Sequence, residues 1–165
     1  MKANLILSID RRNNHETALQ VLHLTQKYHH KGVVGVDLCG DPAHSNISEP
    51  LSILSQAKAL GIKTTIHFAE APQTSSAKEL FELLDLGPER LGHVINVPDE
   101  VKKEIVRRKL GLELCLSCNV HAKMITGTYG DHHFGYWRGS GCPISLSVRS
   151  ISNLAVILCT SFFSS

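Results

Sequence analysis

The chain has 165 residues, of which 42% are hydrophobic and 19% charged, and its net charge is +2. This balance is ordinary for one soluble globular domain and excludes the strongly basic surface typical of proteins that bind nucleic acid or anionic membranes. Five scattered cysteines do not suggest a disulfide framework. The N-terminus lacks signal-peptide features, and the apolar segment 151–163 is too short to span a bilayer, so we expect a cytoplasmic protein.

Short apolar segments alternate with segments of helical character. In chain order, the pattern predicts a strand at 3–9, a helix at 15–29, a strand at 33–38, a helix at 51–60, a strand at 62–68, a helix at 75–86, a strand at 90–95, a helix at 97–111 and a strand at 112–117. Asn14 and either Ser75 or Ser76 are candidate helix caps. The pattern weakens after residue 120, where one further strand is predicted at 143–148. Such alternation predicts a parallel sheet with right-handed crossovers.

The alternation by itself fits either a doubly wound open sheet or a (β/α)₈ barrel. No glycine-rich phosphate-binding loop follows the first strand, which favours the barrel. No linker or domain boundary interrupts the chain. We therefore predict an α/β fold of the TIM-barrel type in a single domain over residues 1–165.

Polar or ionisable residues follow each of the first five predicted strands. They are Asp10, then Asp37, Gly40 and Asp41, then His67 and Glu70, then His93, and finally Ser117, Cys118 and Asn119. Barrel enzymes carry their chemistry at the carboxyl ends of the strands. A neutral imidazole suits Zn²⁺, and a nearby carboxyl group can exchange protons with water, so His67 and Glu70 are the strongest candidates.

Structural roles are the alternatives at several of these positions. His93 could be a hydrogen-bonded structural residue, and Asp10 could form a local ion pair with Arg11 or Arg12. Cys115 and Cys118 could be buried thiols on a strand. Four further histidines are expected to be solvated: His29, His30, His132 and His133.

Several segments together resemble the adenosine deaminase superfamily, which has a zinc-dependent (β/α)₈ barrel. They are VGVDLCGDP (34–42), IHFAE (66–70), RLGHV (90–94) and ELCLSCNV (113–120). SIDRR (8–12) and DHHFGYW (131–137) are similar to the adenosine deaminase-like branch, which converts N6-methyl-AMP to IMP and methylamine. The resemblance covers about residues 3–137, and 138–165 is a divergent C-terminal tail.

The resemblance implies a role for five residues. His67 would be a zinc ligand, Glu70 the general acid that protonates the purine ring, and His93 the group that positions the attacking hydroxide. Gly40 would lie against the purine, and Asp10 would contact the substrate. The implied cofactor is Zn²⁺, and the implied partner is a purine nucleotide or nucleoside rather than a nucleic acid polymer or a membrane. The resemblance implies a monomer, with self-association of a fragment as the alternative.

Two departures from the family pattern affect the expected activity. The chain has no His-x-His pair, and GCPISLSVRS (141–150) stands where the family has paired aspartates. The resemblance therefore implies that residues 1–165 are a single incomplete TIM-type barrel domain, with about strands 3 to 8 of the barrel and an incomplete catalytic site. The alternatives are a non-catalytic nucleotide-binding or interaction fragment, another zinc amidohydrolase, and a cytidine deaminase-type site built on C-x-x-C. Arg11, Arg12 and Lys123 are candidates for phosphate binding.

Overall fold

The computed structural model describes residues 3–44 and 46–147, in which six strands alternate with helices. The strands are β1 (Leu5–Asp10), β2 (Val33–Cys39), β3 (Lys63–Phe68), β4 (Arg90–His93), β5 (Gly111–Leu114) and β6 (Ile144–Leu146). The helices are α1 (His15–Tyr28), α2 (Ser48–Ala59), α3 (Ala77–Asp85), α4 (Asp99–Arg108), α5 (Leu116–His121) and α6 (Phe134–Trp137). Short 3₁₀ turns occupy His29–Lys31, Pro72–Thr74 and Tyr129–Asp131.

The strands form one sheet in the order β1-β2-β3-β4-β5-β6, and every neighbouring pair is parallel. A doubly wound sheet reverses its strand order at a switch point, whereas a (β/α) barrel adds strands in sequence order. The observed order is therefore that of a barrel. Since all six strands point the same way, their carboxyl ends meet at one edge.

The two faces of the sheet differ in character. One row of paired residues is apolar and runs across five strands: Leu38, Ile66, Leu91, Leu112 and Ile144. The first four of these side chains are buried in the hydrophobic core that includes residues of the helices. Because successive strand residues point to opposite faces, the next row turns away from the helices. That row contains His67, Gly92, Glu113 and Ser145.

Helix caps follow the predicted chemistry, whereas some element ends differ. The side chains of Asn14 and Ser76 accept hydrogen bonds from the backbone N–H groups of Thr17 (2.9 Å) and Glu79 (3.3 Å), as expected for N-caps. Helix α4 ends at Arg108 and not at the predicted residue 111, because Lys109 adopts the left-handed conformation.

The predicted strand at 112–117 is too long. β5 ends at Leu114, and a helix begins at Leu116, with the N–H of Asn119 donating to the carbonyl of Cys115 at 2.9 Å. Cys118 and Asn119 therefore lie on α5 rather than on a strand. β6 lies inside the predicted strand at 143–148. Residue 148 and the remainder of the C-terminal tail after it lie outside the described residues. No helix in the described part is long and apolar enough to cross a membrane.

Candidate active site

Strands β3 and β4 both end in left-handed backbone. Ala69 has φ 50°, His93 φ 62° and Val94 φ 48°, which is unusual for residues with a β-carbon and most of all for a β-branched valine. Hydrogen bonds hold the turns in place, from Val94 N to Phe68 O at 3.0 Å and from Asn96 N to Ala69 O at 2.9 Å. Such strain is concentrated at functional sites, where surrounding structure maintains it.

These turns bring His67, Glu70 and His93 together. Glu70 Oε1 lies 3.4 Å from His93 Nε2, and the His67 and His93 rings are 5.1 Å apart between centroids. The side chain of His93 is 1% exposed and that of Glu70 is 8% exposed. A nearly buried carboxyl group beside an imidazole is suited to exchange a proton with a bound molecule. The three strongest sequence candidates thus share one location.

Asp37 lies directly beside His67. Its Oδ1 is 3.1 Å from His67 Nδ1, and its side chain is 2% exposed. A carboxylate at one ring nitrogen fixes the imidazole orientation, and histidines that bind a metal are commonly held by such a carboxylate. The sequence placed Asp37 near this edge but did not reveal that it would contact His67, which is 30 residues later.

Asp10 and Gly40 form a second group at the same edge. A β-carbon at Gly40 would overlap the Asp10 carboxylate, so only glycine permits this approach, and its φ of 107° also favours glycine. Arg12 donates to Asp10 through Nε (2.9 Å) and Nη2 (2.6 Å). The alternative of a local ion pair is thus confirmed for Arg12. Its hydrogen bonds hold the pKa of Asp10 below the usual value.

Arg11 is engaged elsewhere. Its Nη1 lies 3.0 Å from Glu79 Oε1 and 3.4 Å from the carbonyl of His44, and its side chain is 3% exposed. A guanidinium buried in this way is not available as a surface phosphate ligand. Glu113 is buried on the inner face beside Arg90, and its burial raises its pKa.

Two histidines that were expected to be solvated belong to the site's surroundings. His132 is buried and lies 3.1 Å through Nε2 from Asn119 Nδ2, while Asn119 Oδ1 is 2.8 Å from His93 Nδ1. His133 Nε2 lies 2.6 Å from the carbonyl of His93 and is partly buried. The expectation was wrong here because Phe134 and Trp137, which follow these histidines, pack against the hydrophobic core and bring the segment against the end of β4. His29 and His30 are exposed as expected.

The described residues do not make a complete metal site. His67 has the donor geometry of one ligand, but within residues 3–44 and 46–147 no three histidine, cysteine, aspartate or glutamate side chains converge as a metal cage. Zinc in catalytic sites takes three protein ligands and a water. The implied zinc therefore does not fit these residues by themselves, although His67 suits one position.

The fold first defines a class: the chain is a section of a (β/α)₈ barrel with ionisable side chains at adjacent strand ends. Comparison with known proteins identifies the family. The adenosine deaminase family profile matches residues 1–147. The chain belongs to the adenosine deaminase family, as the sequence motifs predicted.

Individual relatives agree with this assignment. The chain is 32% identical over 150 residues to the N6-methyl-AMP deaminase of Danio rerio, covering 86% of this chain and 42% of that protein. It is 37% identical to an adenosine deaminase-like protein of Caenorhabditis elegans, covering 87% and 37% respectively. The Arabidopsis ADAL crystal structure with IMP superposes with a TM-score of 0.80 at 34% identity, over 87% of this chain and 41% of that one. The chain thus spans about two fifths of the length of these relatives, and the predicted partial barrel is confirmed.

Proposed function

We propose that the chain carries part of a purine deaminase site, with Glu70 as proton donor and His93 as the residue that orients the attacking water. The reaction would be hydrolysis at purine C6, in which N6-methyl-AMP and water give IMP and methylamine. The contact between Glu70 Oε1 and His93 Nε2 at 3.4 Å, next to His67, carries the proposal. The names of the relatives favour N6-methyl-AMP over adenosine or AMP.

The chemistry assigned to these residues is proton transfer. Attack of water on C6 places negative charge on the ring nitrogen, and a protonated Glu70 carboxyl group would deliver a proton there. His93 would hold the attacking oxygen through Nε2, while Gly40 would let the purine approach the backbone and Asp10 would contact the substrate. Over the whole reaction, the first proton of the water replaces the one that Glu70 gives to the ring. The amine leaves from the tetrahedral C6 with the second proton, so the Glu70 carboxyl group is restored.

Zinc belongs to the proposal only as a cofactor that His67 would help to hold. When bound, zinc lowers the pKa of a coordinated water. Because the described residues provide one suitable ligand, further ligands would have to come from another part of a longer polypeptide or from a second chain. A complete site would then form only when this part of the barrel is joined by the part that carries the other ligands.

A non-catalytic nucleotide-binding role is the second candidate. The absence of three converging ligands within the described residues favours it. Both candidates use the same groups for recognition, Asp10 and Gly40, and differ only in whether the bond at C6 is broken.

Glu70→Gln separates the two candidates. The purified chain would be incubated with N6-methyl-AMP, AMP and adenosine, with zinc and with a chelator, and turnover followed by purine absorbance and nucleotide binding by calorimetry. Glu82→Gln, at an exposed position of α3, is the matched control. Turnover that is lost in Glu70→Gln and kept in the control supports the enzyme. Binding without turnover in all three proteins supports the binding module. If the chain neither binds nor converts any of the three purines, both proposals are contradicted.

A further inference from the structure

Asn119 bridges two histidines in the interior. Its amide Oδ1 lies 2.8 Å from His93 Nδ1, its Nδ2 lies 3.1 Å from His132 Nε2, and the residue is fully buried. Asn119 lies on α5, His93 ends β4, and His132 lies between the 3₁₀ turn Tyr129–Asp131 and α6. The amide therefore connects three separate segments of the chain at the candidate site.

The backbone of Phe134 fixes the direction of this chain of hydrogen bonds. Its N–H donates to His132 Nδ1 at 3.0 Å, and a backbone N–H can only donate. His132 Nδ1 must therefore carry a lone pair. A neutral imidazole then has its proton on Nε2. Burial lowers the pKa of His132, which favours this neutral ring.

A protonated Nε2 of His132 needs an acceptor from Asn119. If the amide nitrogen faced it, two N–H groups would oppose each other in a buried position, which is costly. Rotating the amide by 180° exchanges its oxygen and nitrogen at nearly the same positions. The oxygen then accepts from His132, and the nitrogen donates to His93 Nδ1.

We propose that Asn119 is a positioning residue that holds His93 as the tautomer with its proton on Nε2. Its amide nitrogen donates to His93 Nδ1, so the His93 Nε2–H is directed toward Glu70 Oε1, 3.4 Å away. The inference rests on the proposed function for its catalytic meaning, since a donor at Nε2 orients and polarises the attacking oxygen. In this tautomer, neutral His93 does not accept a proton at Nε2.

Histidine-ring ¹⁵N NMR of the full chain tests this assignment directly. The spectrum of a His93→Gln variant identifies the His93 signals by their loss. We expect an unprotonated Nδ1 and a protonated Nε2 on His93 at neutral pH. A protonated Nδ1 on neutral His93 in the unmodified chain would overturn the inference.

Asn119→Asp provides the contrasting state. A carboxylate of the same shape accepts from both neighbours and cannot donate, so His93 should gain a proton on Nδ1 while the His132 signals change little. Asn14→Asp adds the same charge at the cap of α1, where aspartate caps equally well, and should leave the His93 signals unchanged. Unchanged His93 signals in Asn119→Asp would contradict the inference. If that variant does not fold, the spectrum of the unmodified chain decides.

The tautomer and the activity are read separately. An Nε2–H tautomer in a chain without turnover contradicts the deaminase proposal and leaves the role of Asn119 intact. If the chain is active, Asn119→Asp should lower kcat and leave KM nearly unchanged, because the substrate contacts are retained. An equal loss in Asn14→Asp would show a general effect of charge and would count against a positioning role.

Discussion

His133 Nε2 lies 2.6 Å from the backbone carbonyl oxygen of His93, forty residues earlier in the chain. Four residues after His133, Trp137 Nε1 donates to the carbonyl of Val94 at 3.3 Å. The short helix α6 and the residue before it thus supply one donor to His93, the last residue of β4, and one to Val94 after it, both of which are left-handed. This contact explains how a strained turn persists at the candidate site.

Trp137→Phe should destabilise the chain by about 1–3 kcal/mol, because it leaves the buried carbonyl of Val94 without its indole donor and reduces apolar packing. Trp137 is 1% exposed, whereas Tyr136 beside it is 51% exposed. Tyr136→Phe is therefore the control and should change the free energy of unfolding by less than about 0.5 kcal/mol. Urea unfolding followed by circular dichroism measures both. Equal effects would show that the indole hydrogen bond is unimportant.

Gly40→Ala should displace the Asp10 carboxylate, because the added β-carbon would overlap it, and should cost about 1–3 kcal/mol with the backbone strain included. Gly61 also has a positive φ, but no atom lies within 4 Å of a β-carbon there. Gly61→Ala thus reports the backbone strain by itself. The difference between the two melting temperatures then measures the clash with Asp10. A larger loss of stability in Gly61→Ala than in Gly40→Ala would show that this clash is unimportant.

The stability of the chain should fall as the pH is lowered from about 6.5 to about 4. Burial lowers the pKa of His133 from 6.5 to about 4, so the unfolded state binds more protons in this window. The stabilising contribution of neutral His133 is complete above the pKa of the unfolded state, 6.5. It is lost as the pH falls through the pKa of the folded state, about 4. His133→Gln should flatten this dependence, measured as urea midpoints at several pH values. His30→Gln, at an exposed position, should leave it unchanged.

Glu79→Gln should destabilise the chain by about 3 kcal/mol, because it leaves the buried Arg11 guanidinium without its carboxylate. The side chains are 3% and 13% exposed and lie 3.0 Å apart. Asp85→Asn is the control, since the Asp85 side chain that pairs with Arg108 is 74% exposed. That change should cost at most about 1 kcal/mol. Similar losses in thermal denaturation would argue that Arg11 does not depend on this pair.

The sequence by itself determined the alternation of strands and helices, the cap at Asn14, and the location of His67, Glu70 and His93 at strand ends. It narrowed the cap of α3 to Ser75 or Ser76, and the structure assigned Ser76. These features depend on local periodicity and on the chemistry of single residues, which a sequence displays directly. The family motifs likewise occupy short continuous segments. The predicted strand through residue 117 failed because apolar character alone does not distinguish a short buried helix from a strand.

The tertiary structure decided which side chains meet. The contacts of Asp37 with His67, of Asn119 with His93 and His132, and of His133 with the His93 carbonyl span 30, 26, 13 and 40 residues. Distances of this kind depend on strand register and on how α5 and α6 pack against the sheet, and neither leaves a periodic signal in the sequence. The order of the sheet was also decided there, because alternation is common to open and closed α/β folds and only the pairing of successive strands distinguishes them.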